Sequence, residues 1–210
     1  MTSFAPEGFL FPYVRFFNAV DHNSKFDFYI CNTLAAAGIP FGAFSSYLKI
    51  SGGQQIFKVT KAGDKNNVIA QICIKFHIGK VCTICAKETS NGITLCQLEE
   101  YTNKDNLQYG HIRICNLSSQ CRDVSVYANN ECIAAEIGHG QICRYLAMIP
   151  GKYTLKVKCS DEHSDFLTIP SIVIKPGKYN TLYIIGAKKE SSEPVGVFTV
   201  DAASYSGFYL

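Results

Sequence analysis

The sequence predicts an all-β protein: two tandem antiparallel β-sandwich domains of immunoglobulin-like or transthyretin-like kind. Three observations carry this reading. Short stretches alternate apolar and polar residues with period two, as Tyr153, Leu155 and Val157 do against Thr154, Lys156 and Lys158. Turn formers such as His22-Asn23-Ser24, Gly52-Gly53, Ser90-Asn91-Gly92 and Pro150-Gly151 separate these stretches. The chain also repeats itself. A slide of 98 residues (145 − 47) lays Tyr145-Leu146 on Tyr47-Leu48, Gly151 on Gly53 and Lys156-Val157 on Lys58-Val59.

The register of the repeat holds without a gap beyond that stretch. Arg113 falls on Arg15, Asn116 on Asn18, Tyr127 on Tyr29, Asn130 on Asn32, and Gly177-Lys178 on Gly79-Lys80. A period this long suits two complete domains better than a solenoid. Strands are expected in the first repeat near 13–18, 26–31, 43–50, 54–60, 68–76, 80–87 and 92–98, with the same plan in the second. Tyr145 to Val157 reads as strand, tight turn, strand: a hairpin closed by Pro150-Gly151. No helix is expected, and Leu34 to Gly38 is too short to nucleate one. The resulting division is an N-terminal aromatic arm (1–11), a first sandwich (12–98), a polar linker (99–110), a second sandwich (111–201) and an aromatic tail (202–210).

Composition narrows the function classes. The chain is 47% hydrophobic and 18% charged, enough apolar residue for two modest cores. A formal net charge of +3 with scattered Lys and Arg offers no phosphate-tracking surface, so no nucleic-acid partner is expected. The first residues lack the basic start and long apolar core of a secretory signal, and no apolar run is long enough to span a membrane. Synthesis in the cytosol is the expectation. His22, His77, His111, His139 and His163 are dispersed, and neither a metalloprotease motif nor a nucleophile elbow is present. Glu99-Glu100 and Asp161-Glu162 read as solvated surface. Arg15 and Arg113 read as structural partners of a carboxylate or carbonyl. The protein is therefore expected not to be an enzyme and to need no cofactor or metal.

The residue order VRFFNAV, FDFYICNTLAAAGIPFGAFSSYLKI and GGQQIFKV, answered by IRICNLS, VSVYANNECIAAEIGHGQICRYLAMIPGKYTLKV and IKPGKYNTLYIIG, resembles the tandem modules of the bacterial domain-of-unknown-function family 4397. Members open with a V-R-hydrophobic strand and continue through a V-D-V-Y strand and a Y-L/Y-I strand to a P-x-G-x-Y hairpin. Two departures stand out. The family's H-A-S-P-D-A-P loop is replaced by Asn18 to Lys25 and Asn116 to Asp123, and the aspartate of the tyrosine strand, Asp27, is Ser125 in the second repeat. The resemblance implies an immunoglobulin-like sandwich without known catalysis. It also implies a setting in the coat or on the surface of a bacterial spore.

Ten cysteines carry most of the remaining chemistry. None lands on another under the 98-residue slide, so no ligand set or disulfide belongs to the module itself. Cys82 and Cys85 are spaced C-x-x-C, but on a strand positions three apart point to opposite faces. Cys73, Cys85, Cys96, Cys115 and Cys132 read as small apolar core fillers. Cys31, Cys121, Cys143 and Cys159 replace polar residues of the other repeat and are candidates for intermolecular disulfides. Two functions stay open. One is a self-assembling structural subunit of a spore surface layer or filamentous appendage, with itself and other spore surface proteins as partners. It would be joined through the terminal arms (Phe4, Phe9, Leu10, Phe11; Tyr205, Phe208, Tyr209, Leu210) and exposed strand edges. The other is a glycan- or peptide-binding adhesion module that uses sandwich-end loops.

Overall fold

A computed structural model describes residues 11–20, 25–100, 107–160, 165–186 and 193–205. The first repeat consists of β1 (Tyr13–Asn18), β2 (Phe26–Ile30), β3 (Thr33–Ile39), β4 (Leu48–Lys49), β5 (Gly53–Lys61), β6 (Val68–Phe76), β7 (Val81–Thr89) and β8 (Gly92–Glu100). The second consists of β9 (Gly110–Asn116), β10 (Asp123–Ala128), β11 (Glu131–Gly138), β12 (Leu146–Met148), β13 (Gly151–Cys159), β14 (Asp165–Ile174), β15 (Tyr179–Ile185) and β16 (Val195–Val200). A 3-10 turn, Ala202–Ser204, follows β16.

Each repeat is a sandwich of two four-stranded sheets. In the first, β4-β1-β7-β8 faces β3-β2-β5-β6; in the second, β12-β9-β15-β16 faces β11-β10-β13-β14. The tandem all-β expectation therefore holds, with two refinements. β1 pairs parallel with β7, and β9 with β15, inside otherwise antiparallel sheets. Each repeat also has an extra strand, β3 or β11. In the first repeat it covers Leu34 to Gly38, and the chain between it and β4 adds only an isolated bridge, Phe17 to Phe44, where a longer strand was expected.

The Pro150-Gly151 stretch is corrected as well. β12 pairs with β9, whereas β13 pairs with β10 and β14, so the chain passes from one sheet to the other at this corner and no hairpin forms. A proline–glycine corner between alternating stretches reads the same in both cases, because both require one sharp turn and one buried face.

Alternation along β1 explains how the sandwiches meet. Val14 and Phe16 point into the first core, where Phe16 stacks on Phe28 at 4.9 Å between ring centroids. Phe17, on the opposite face, packs with Cys85, Cys115, Tyr183 and Ile185 in a separate cluster between the repeats. β1, β7, β9 and β15 are thus covered on both faces, with β9 and β15 buried at every residue. The second core is built around Ile112, Ile114, Val126, Leu155, Val157 and Leu182.

Small polar devices hold the turns. Asp27 accepts from the backbone N–H of Gly38 at 2.7 Å and of Gly63 at 2.8 Å, tying β2 to the chain on either side. Its counterpart Ser125 accepts from Glu136 N–H at 3.2 Å, so one bond of the pair survives the substitution. Replacing Phe28, which is fully buried against Phe16, by alanine should cost about 3–5 kcal/mol through lost burial and a cavity, checked by denaturant unfolding.

Candidate functional site

The site is built where β1-β7-β8 and β9-β15-β16 face each other. An arginine can sit on a dry sheet face only if its charge and its donors are met there. Arg15 Nε donates to Thr83 Oγ1 at 2.8 Å, and that hydroxyl donates to Glu100 Oε1 at 2.8 Å. Tyr47 Oη donates to the other carboxylate oxygen at 2.5 Å. The second repeat copies the arrangement. Arg113 Nε donates to Thr181 Oγ1 at 2.8 Å, and Thr181 and Tyr145 each donate to Asp201 Oδ2 at 2.5 Å. The two sets cross-link directly, since Arg15 Nη2 donates to Asp201 Oδ1 at 2.8 Å.

Burial sets the electrostatics. Both carboxylate side chains are fully buried, and the arginine side chains are only 4% and 6% exposed. Burial alone would lower the Arg15 and Arg113 pKa values, but Glu100, Asp201 and the neighbouring phenols hold both above the ordinary arginine range. Burial pushes the Tyr47 and Tyr145 phenols far up, so both remain protonated donors. Burial, then the Glu100 carboxylate, raises the Asp201 carboxyl above the usual range despite the two guanidinium groups.

Among the described residues the two halves are lined differently. Tyr13, Tyr47 and Val81 of the first repeat are covered by the chain after β16: Ala202 packs among them, its N–H donates to Glu100 Oε2 at 2.9 Å, and Tyr205 meets Tyr47 edge-on. The equivalent positions of the second repeat are His111, Tyr145 and Tyr179. Together with Glu99, Arg113 and Arg144 they line a groove of about 500 Å³ among the described residues. The His111 and Tyr179 rings stack at 4.3 Å, and Tyr145 stands edge-on to Tyr179. Arg113 donates through Nη1 to the Glu99 carbonyl at 2.6 Å, whereas its Nη2, also buried, has no hydrogen-bond partner among the described residues. Arg144 is exposed at the groove. Glu99 is neutralised by Lys80 at 2.5 Å.

Several candidate residues are relocated. Cys121 and Cys159, expected as intermolecular cross-linkers, are buried and form a disulfide with each other that ties the entry of β10 to the end of β13. Closing that loop of 38 residues stabilises the fold by roughly 4 kcal/mol in the chain-entropy account. Cys143 is half-buried, with its sulfur accepting from Ile114 N–H at 3.1 Å. Cys31 alone of that group is an exposed thiol, in the β2–β3 turn. Cys85 and Cys115 are core fillers as expected, but Cys73 and Cys132 are exposed. Cys82 lies in the first core and Cys85 in the cluster between repeats, opposite faces of one strand. Of the arms, Phe11 lies against Lys49, with Nζ 3.2 Å from the ring centroid, and Tyr205 against Tyr47. Phe4, Phe9, Leu10, Phe208, Tyr209 and Leu210 lie outside the described residues, as do Asp161 and Glu162 and most of the His22 to Lys25 loop.

Glu100, expected as solvated surface in a linker, is instead a buried end of β8, and Asp201 was not singled out at all. Their signal was hidden by an offset. Arg, Thr and Tyr superpose at 98 residues, but the acids superpose only at 101 (201 − 100), because the β15–β16 connection is longer than the β7–β8 turn.

These features define a two-domain β-sandwich protein whose halves are joined by a buried, charge-paired contact. The chain belongs to the family described as domain of unknown function DUF4397, which matches residues 12–125 and 110–206. Three solved structures are similar at a distance. The C-terminal domain of AlgF from P. aeruginosa is 20% identical over 44% of this chain and 99% of its own, with a TM-score of 0.32. The Bacillus anthracis TIE protein is 11% identical over 84% of this chain, which spans 34% of it, with a TM-score of 0.28. The CBM26 module of Eubacterium rectale Amy13K, solved in complex with maltoheptaose, is 9% identical over 91% of this chain and 99% of its own, with a TM-score of 0.29. TM-scores this low carry no argument about what the chain binds. No curated protein sequence matches it.

Replacing Glu100 by glutamine leaves Arg15 and its donors short of a charge, with an expected loss of about 3–5 kcal/mol in denaturant unfolding. Glu99→Gln, at the exposed Lys80 pair, should stay within about 1 kcal/mol. Acid tests Asp201 separately. A carboxyl raised on folding binds its proton more readily in the folded chain, so it favours folding at low pH and this contribution is lost as pH rises through the raised value. Wild type should therefore gain stability relative to Asp201→Asn as pH falls from neutrality toward the ordinary carboxylate value of 3.8.

Proposed function

We propose that this protein is a non-catalytic, self-assembling structural subunit that polymerises through its strand edges and terminal arms and is fixed by intermolecular disulfides. The observation that supports this best is the use to which its charged groups are put. Arg15, Arg113, Glu100 and Asp201 are consumed in joining the two sandwiches, which leaves a two-domain unit that carries free thiols on its outer surface. The exposed thiols among the described residues are those of Cys31, Cys73 and Cys132. Cys73 lies on β6 and Cys132 on β11, the edge strands of the two outer sheets, where unpaired backbone groups offer a template for a neighbour. The Cys121–Cys159 bond suits an oxidising setting, and a bacterial surface layer, including that of a spore, would supply one.

A second reading has one observation in its favour. The groove walled by His111, Tyr145 and Tyr179 would also suit a short glycan or peptide as the ligand of an adhesion module. Negative-stain microscopy with non-reducing electrophoresis separates the two. Ordered polymers with a reductant-sensitive ladder are expected, and the ladder should disappear when Cys31, Cys73 and Cys132 are all serine but persist in Cys143→Ser. A monodisperse particle with and without reductant would overturn the assembly reading.

A further inference from the structure

We infer that Cys85 and Cys96 form a peroxide-reactive dithiol at the contact between the repeats: Cys96 attacks the peroxide, and Cys85 then closes a disulfide between β7 and β8. Neither residue is among the exposed thiols that would join subunits, so this chemistry stands apart from assembly.

Register brings the two side chains together. Cys85 and Cys96 are direct antiparallel partners, and both pack in the apolar cluster between the sandwiches. Directly opposed residues have Cα atoms about 4.5–5.5 Å apart, within the range of about 4.4–6.8 Å that a disulfide spans. No other rung among the described strands pairs two free cysteines. Cys115 joins the same cluster from β9, in the facing sheet. Stacked sheets lie about 10 Å apart, and Cα atoms more than about 7 Å apart are not bridged without backbone movement. The matching rung of the second repeat is Tyr183 and Val197. The fold therefore requires cysteine at neither position, and a filler role accounts for one small residue but not for two thiols on one rung.

The two thiols differ as a nucleophile and its resolving partner should. Cys85 is fully buried, and burial holds its thiol well above the ordinary range, so it keeps its proton. Cys96 is half-buried on β8, the edge strand of its sheet. A hydrogen bond donated by the Cys85 thiol lowers the Cys96 pKa, burial opposes this, and the Lys87 ammonium adds to the lowering. Lys87 stands at the seam between the repeats, its Nζ 2.6 Å from where a Cβ on Gly140 would sit. Burial raises the thiols of Cys82 and Cys115, which makes them internal standards for an inert core cysteine.

The Cys96 thiolate attacks one oxygen of hydrogen peroxide; the O–O bond breaks, hydroxide leaves with the proton first lost from Cys96, and Cys96 becomes a sulfenic acid. The Cys85 sulfur then displaces the sulfenic hydroxyl, which departs as water with the Cys85 proton as the S–S bond forms. The two thiols give up two electrons, the peroxide accepts them, and two waters result. The bond pins β8, which ends in Glu100, to β7, which carries Thr83, so oxidation staples the two strands that hold Arg15.

The test uses the full chain carrying Cys31→Ser, Cys73→Ser and Cys132→Ser, so that exposed thiols do not compete. After mild reduction and removal of the reductant, the chain is treated with hydrogen peroxide, blocked with N-ethylmaleimide in denaturant and digested with trypsin. Cleavage after Lys80, Lys87 and Lys104 places Cys85 in residues 81–87 and Cys96 in residues 88–104. The expected product is these peptides joined, lighter than their sum by two hydrogens, with fragmentation placing the bond at Cys85 and not at Cys82. In Cys85→Ser, whose hydroxyl still donates to Cys96, the reaction should stop at a Cys96 sulfenic acid that dimedone traps. In Cys96→Ser, oxidation of Cys85 should slow at least about tenfold, to the rate of Cys115. Oxidation of Cys96 no faster than that of Cys82 or Cys115 would overturn the inference. A peroxide-formed bond from Cys96 to any other cysteine, or its oxidation without a bond, would do the same. The peptide map decides by itself, because it is read with both cysteines in place.

Discussion

The structure depends on neutralising four charges in a place without water. Arg15 and Arg113 stand on strands buried on both faces, and each would be prohibitively costly there without a carboxylate and hydrogen-bond partners. Thr83 and Thr181 relay each guanidinium to its acid, Tyr47 and Tyr145 cap the acids, and Arg15 reaches across to Asp201. The acids close the final strand of each repeat, so the network forms only when both sandwiches are complete and docked. This couples the folding of the halves. Apolar contact around Phe17, Cys85, Cys115 and Tyr183 surrounds the network and keeps it dry.

The duplication is nearly symmetric, and its asymmetries are where the chain can act. One aromatic surface is covered by the segment after β16, whereas its twin, His111, Tyr145 and Tyr179, forms with Arg113 and Arg144 a groove among the described residues. One repeat is tightened by a disulfide, while the equivalent positions of the other are Asn23 and Lys61. Exposed thiols lie at a turn or on outer strands in both repeats, at positions that do not correspond. A cysteine that differs between copies is not required by the fold, so its presence is open to selection by what the outer surface touches.

Much of the architecture was legible in the chain. The two-fold repetition, the all-β class and most strand positions follow from period-two alternation, turn residues and the 98-residue register, because each is a local or periodic property. The structural role of Arg15 and Arg113 also followed, since a recurring arginine on an apolar strand needs a buried partner. What tertiary structure alone decided are pairings at long range. The sheet in which β12 and β13 each end, the parallel partners of β1 and β9, and the disulfide partner of Cys121 are matters of which strands meet, and no local pattern encodes that. Glu100 shows the reason most clearly. In sequence it is one of two adjacent glutamates at the edge of a polar stretch, and only the docking of the second sandwich removes it from water and gives it Arg15, Tyr47 and Ala202 as partners.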